Sequence, residues 1–106
     1  MEIKSEQKNN WSCLLLTDRL DVSTAPELEK AGSELLKSNT QMALDFSELT
    51  YISSAGLRVL MILGKQAKAA GGQVVLCGFH SLVRDVLEES GVTSIFKTYD
   101  SLNDLP

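Results

Sequence analysis

QMALDFSELTYISSAGLRVLMILGKQAKAAGGQVVLCG, Gln41 to Gly78, is the stretch on which the fold turns. Gln41–Phe46 reads as a short, mostly apolar strand, and Ser47–Ile52 as the connection that follows it. From about Ser54 to Ala70 the apolar residues recur with a helical period, and Gly71-Gly72 stops that helix. Gln73–Gly78 is a continuous apolar run, as expected for a strand buried on both faces or set beside a parallel neighbour. Strand, helix and strand in this order predict a right-handed crossover in a parallel sheet.

The flanks extend the pattern. Upstream, Met1–Lys8 alternates weakly, as an edge strand does. Asn9-Asn10 suits a hairpin turn, and Trp11–Thr17 is a stronger strand. Ser23–Ser38 reads as a helix that Ser23 or Thr24 can cap. Pro26 fits its first turn, Glu27 and Glu29 complement its dipole, and Leu28, Ala31, Leu35 and Leu36 form its apolar stripe. Downstream, His80–Gly91 is an amphipathic helix with Leu82, Val83, Val86 and Leu87 inward. Ser94–Tyr99 is a last strand, and Asp100–Leu105 a terminal turn capped by Asp100. The expectation is an α/β fold in a single domain spanning residues 1–106. Its sheet is mixed and mainly parallel, with about five strands, and about four helices lie mainly on one face. The other face should be more exposed.

Composition narrows the function. Hydrophobic residues make up 43% of the chain and charged residues 23%, as in ordinary globular domains. A net charge of −4 disfavours nucleic-acid backbone and anionic membrane surfaces. The N-terminus MEIKSEQKNN lacks the apolar core of a signal peptide, and no apolar run approaches a membrane span. Cys13 and Cys77 are too few and too far apart for a disulfide framework or a zinc site. Each lies in an apolar run, so both should be reduced, buried and inert. These features together predict a cytoplasmic protein.

Ser53-Ser54-Ala55-Gly56 poses the functional question. One capping residue would suffice to start a helix, yet two hydroxyls precede two small residues. Either serine can accept the free N–H groups of the helix start, and Ala55 and Gly56 permit close approach to a neighbouring loop. On the helix, Leu57, Leu60, Met61, Gly64 and Ala67 form one apolar stripe. Ser54, Arg58, Ile62 and Lys65 lie on the other side. A hydroxyl, a cation and a solvent-side isoleucine on one face have the character of a docking surface.

Two segments carry a family resemblance. LDFSELTYISSAGLRVL, Leu44 to Leu60, resembles the strand, loop and helix around the phosphorylated serine of STAS domains. RLDVSTAPELE, Arg19 to Glu29, resembles the loop and helix after their second strand. The element order fits over nearly the whole chain, in the small stand-alone form found in bacterial anti-sigma factor antagonists. The resemblance implies partner switching. The unphosphorylated protein binds an anti-sigma factor that is also a serine kinase, which frees the sigma factor. Phosphorylation at the helix start releases the antagonist, and a phosphatase resets it.

The matching serine is Ser54, with Ser53 as second choice, since Ser53 stands where many relatives have Asp. Asp21, Ser23, Thr24, Ser53, Ser54, Gly56, Arg58 and Ile62 are the implied partner surface. No cofactor or metal is expected, and the chain should be a monomer or weak dimer. The alternative within the family is a module that does not switch, such as a soluble subunit of a lipid-transport complex or a signalling scaffold.

An enzyme is the remaining class, and the sequence offers it little. His80 is the one histidine, placed at a helix start. No glycine-rich phosphate loop precedes a helix. Asp45 at a strand end has no obvious partner carboxylate and reads as a loop hydrogen-bonder.

Overall fold

A computed structural model describes residues 1–106. Its five-stranded sheet has the order β1-β2-β3-β4-β5. The strands are β1 (Ile3–Lys8), β2 (Trp11–Leu20), β3 (Gln41–Ile52), β4 (Gln73–Cys77) and β5 (Lys97–Tyr99). β1 pairs antiparallel with β2, and every other pair is parallel. The hairpin turn is where the sequence indicates, with Asn9 in the left-handed region at φ 56°. The helices α1 (Ala25–Leu36), α2 (Ser54–Ala69), α3 (Ser81–Glu89) and the single turn α4 (Val92–Ile95) are the connections. All four contribute buried residues to one core on one face of the sheet.

Alternation along the strands divides the interior. Leu14, Leu16, Met42, Leu44, Phe46, Val74 and Leu76 face the helices. Trp11, Cys13, Ala43, Val75 and Cys77 face the opposite side, where Leu105 covers them. This second face is therefore less exposed than the sequence suggests. The C-terminal segment is fastened over it: Trp11 Nε1 donates to the Pro106 carbonyl at 3.1 Å, and Asn9 Nδ2 to the Leu105 carbonyl at 3.2 Å. Both cysteines are buried and unpaired. Burial, reinforced by Asp45, pushes the Cys77 thiol up to about 12, which removes it from thiolate chemistry at neutral pH.

Several elements differ from their sequence reading. Ser47–Ile52 is not a connection but the second half of β3, because β2 also runs on to Leu20. Each half supplies the other's ladder, through Thr17↔Glu48, Asp18↔Leu49, Arg19↔Tyr51 and Leu20↔Ile52. The register shifts on either side of Asp18, whose φ is +66°. Ser94–Tyr99 is strand only from Lys97, since Val92–Ile95 closes a helical turn. The terminal turn is capped by Ser101, which accepts from the Asn103 N–H at 3.2 Å, and not by Asp100.

The apolar stripes are rotated. α1 buries Ala25, Leu28, Gly32 and Leu36, with Ala31 and Leu35 half-buried. α2 buries Gly56, Val59, Leu60, Leu63 and Ala67, while Leu57, Met61 and Gly64 are half-buried. The helix contact sets this rotation: a Cβ on Gly32 would lie 2.7 Å from the Leu63 methyls. In α3 only Val83 and Leu87 are fully buried, and Leu82 is 52% exposed.

Gly71 and Gly72 end α2 for different reasons. Gly71 takes φ +87°, and its N–H donates to Lys68 O while that of Gly72 donates to Ala67 O. This pair of bonds is the Schellman arrangement, and it needs a left-handed residue. Gly72 instead needs space, since a Cβ there would lie 2.0 Å from the Thr40 carbonyl oxygen. Gly71→Ala should lose about 1 kcal/mol from left-handed strain. Gly72→Ala should lose more, about 1–3 kcal/mol, by overpacking. Urea denaturation of the two variants checks the order, and the reverse order would refute this division of roles.

Candidate functional site

The end of β2 and the start of α2 meet at one place. The Ser53 N–H donates to the Leu20 carbonyl at 2.9 Å, which ties the β2–α1 loop to the β3–α2 junction. A Cβ on Gly56 would lie 2.8 Å from Leu20 Cγ and 2.9 Å from Ile52 Cγ1. Gly56 thus lets the first turn of α2 rest on those side chains, and Ser-Ser-Ala-Gly is in part a packing device.

The two serines divide the work. Ser53 is the N-cap, extended at φ −105° and ψ 176°, and its Oγ accepts from the Gly56 N–H at 3.5 Å. Its carbonyl accepts the Leu57 N–H at 3.0 Å. Ser54 is the first helical residue and is exposed, and its hydroxyl makes no hydrogen bond within the chain. Arg58, one turn further on, is exposed and takes part in none of the chain's ion pairs. Ile62 is half-buried, so it is not the solvent-side residue that helical spacing alone implies.

The facing loop is organised by Asp21. Its Oδ1 accepts from the Ser23 hydroxyl at 2.8 Å, the Ser23 N–H at 3.0 Å and the Thr24 N–H at 3.2 Å. Its backbone carbonyl accepts the Ala25 N–H at 2.8 Å. Neither Ser23 nor Thr24 caps α1 as the sequence suggests; Asp21 collects the free donors ahead of the helix. Thr24 Oγ1 turns back instead, donating to Arg19 O at 2.8 Å and accepting from Asp21 N at 2.9 Å. Arg19 Nε lies 3.5 Å from Asp21 Oδ2, and the guanidinium stacks 4.2 Å from the Tyr51 ring centroid. Between Asp21 and Ser23, Val22 is 78% exposed. No motif in the sequence marks Val22 or Tyr51. A β-branched hydrophobe alone in a polar loop was the available signal.

Three pockets of about 310–390 Å³ are lined by other residues. An open surface of hydroxyls, charges and one bare valine suits a protein partner better than a small molecule. Other chemistry-bearing groups lie elsewhere and are engaged. His80 Nε2 is 3.0 Å from Ser47 O, and Nδ1 is 3.0 Å from Ser81 Oγ. Asp45 is 6% exposed and accepts from the Ser47 hydroxyl at 2.7 Å, a hydrogen bond within β3 and not in the loop that the sequence suggests. No helix is long and apolar enough to cross a membrane.

Residues 2–105 match the STAS domain family. The chain belongs to that family. Over 102 residues it is 40% identical to BtrV of Bordetella bronchiseptica, a protein described as an anti-sigma factor antagonist. That alignment covers 95% of this chain and 88% of BtrV. Among solved structures, an anti-sigma factor antagonist from Thermotoga maritima superposes with a TM-score of 0.88 at 22% identity, covering 96% of this STAS domain and 89% of that chain. The phosphorylated form of SpoIIAA, a Bacillus cell-fate determinant, superposes at 0.71 with 17% identity, covering 93% and 92%. By sequence and fold this STAS domain stands among the anti-sigma factor antagonists.

The Asp21 bonds have a pH signature. The Ser23 hydroxyl, then the Ser23 and Thr24 N–H groups, hold its carboxyl down from the usual 3.8 to about 2. A lowered folded-state value contributes stability above the unfolded value and loses it as pH falls through about 2. NMR titration should find the Asp21 carboxyl and the Ser23 and Thr24 amides moving together with a midpoint near 2. Asp21→Ala should remove that transition and lower Tm. A midpoint at the ordinary carboxylate value would dissolve the capping assignment.

Proposed function

We propose that this STAS domain is a cytoplasmic anti-sigma factor antagonist that works by partner switching. The unphosphorylated form binds a serine-kinase anti-sigma factor and frees the sigma factor. The kinase transfers phosphate to Ser54, the complex separates, and a phosphatase restores the binding form. The observation that carries this reading is the division between the serines: the Ser53 hydroxyl is committed to the cap, and that of Ser54 is exposed and free. Asp21, Val22, Ser23 and Thr24 on the facing loop, with Gly56 and Arg58 on α2, complete the surface. Ile62 contributes only its exposed edge.

The physics of the switch is local. Phosphate adds about −1.5 to −2 charges to one side chain. At the start of α2 the free N–H groups and the dipole favour that charge, and Arg58 stands at i+4. The fold therefore tolerates phosphorylation. A docked partner does not, because bulk and charge enter a surface that was complementary to a hydroxyl. A loss of about 3 kcal/mol would weaken binding by roughly two orders of magnitude.

The test is phosphate mapping by mass spectrometry after incubation with the partner kinase and ATP. Phosphate should sit on Ser54 in wild type and in Ser53→Ala, and Ser54→Ala should bind the partner but resist modification. Ser54→Asp should bind more weakly than wild type. Phosphate on Ser53 would overturn the residue assignment. Equal binding of the modified and unmodified forms would overturn switching and favour the scaffold-type module.

A further inference from the structure

Charge is unevenly distributed along this chain. The net charge is −4, yet from Leu49 to Arg84 there is no Asp or Glu. α2 lies wholly inside that stretch and carries Arg58, Lys65 and Lys68. Its far half forms one wall of a groove of about 390 Å³, with β4 and the α4–β5 junction opposite. Lys65, Lys68 and Lys97 line this groove and no carboxylate does. None of the three takes part in an ion pair within the chain. The apolar part of the lining is Met61, Val74, Ile95 and Phe96, and Ile95 is 62% exposed.

Lysines in the last turns of a helix complement its dipole, which accounts for Lys65 and Lys68. It does not account for Lys97, which comes from β5 and brings a third cation to the same concavity. Nor does it account for an isoleucine left bare at the mouth. The groove has the volume of a small-molecule site, whereas the chain's net negative charge opposes docking on anionic membranes or nucleic acid. Lysine ammonium groups around an apolar floor complement a molecule with a hydrocarbon body and an acidic head.

We propose that this groove binds a small anionic amphiphile, an aliphatic carboxylate whose chain lies on Met61, Ile95 and Phe96 and whose head meets Lys65, Lys68 and Lys97. The site is separate from Ser54. Lys65 is eleven residues on from Ser54 along the helix, about 16 Å along the axis. Its occupancy can therefore be read independently of the switch.

Decanoate, kept below its aggregation concentration, is the probe, and amide chemical shifts are the readout. Saturable shifts should map to residues 61–68, 72–74 and 95–97, and Ser54→Ala should bind as wild type does. The combined variant Lys65→Gln, Lys68→Gln, Lys97→Gln alters only exposed side chains, so its spectrum should remain that of the folded domain. Its affinity for decanoate should fall at least tenfold. Decyltrimethylammonium, with the same tail and the opposite charge, should leave the groove amides unmoved. The proposal is overturned if decanoate shifts other residues or none, if the triple variant binds equally, or if the cationic amphiphile binds equally. It is also overturned if a short Leu-Glu peptide saturates these amides where decanoate does not, since the groove would then belong to a protein segment.

Discussion

Leu20 holds the site together. Its carbonyl accepts the Ser53 N–H at 2.9 Å, and its side chain fills the space that a Cβ on Gly56 would need. One residue thus contacts both the N-cap and the first turn of α2. It can do so because β2 continues past its bulges to Leu20 beside the second half of β3. Without that extension the end of β2 and the α2 start would lose the hydrogen bond from the Ser53 N–H to the Leu20 carbonyl that joins them.

In the proposed switch, the same junction separates stability from signalling. Asp21 takes up the Ser23 and Thr24 N–H groups ahead of α1 and Ser53 takes the Gly56 N–H of α2, and in that proposed switch neither has to change when Ser54 gains or loses a charge. Covalent modification at the first helical residue falls where the backbone has N–H groups to offer. The cap is the residue before it, Gly56 packs against Leu20 and Ile52 two residues after it, and the Ser54 hydroxyl makes no hydrogen bond within the chain. Such an arrangement lets a charge act on what docks there while the fold persists.

α2 also organises the electrostatics of the chain. It is a carboxylate-free helix in an acidic protein, with Arg58 near the serine end and Lys65 and Lys68 near the groove. The helix dipole favours anions at its first turn and cations at its last, so the two ends are suited to different chemistry. Gly64 lets the Phe96 ring close against the helix, since a Cβ there would meet it at 2.7 Å. The apolar floor of the groove is therefore set by the same close packing that seats α4 and β5.

Local patterns made much of this legible from sequence. The strand and helix periods, the Gly71-Gly72 stop, the serine pair at a helix start and the family motifs around Asp21 and Ser54 depend on residues close together in the chain. They state the element order and the mixed, mainly parallel sheet. What the tertiary structure decided is non-local. Ser47–Ile52 is strand only because Thr17–Leu20 is there to pair with it. Leu63 is buried in place of Met61 because Gly32 of α1 receives it. Ser53 caps and Ser54 does not because the Leu20 carbonyl holds Ser53 in the extended conformation just before the helix. The second sheet face is covered because Trp11 and Asn9 bind the chain's last residues. In each case two segments far apart in sequence compete for one hydrogen bond or one volume, and a periodicity carries no record of its partner.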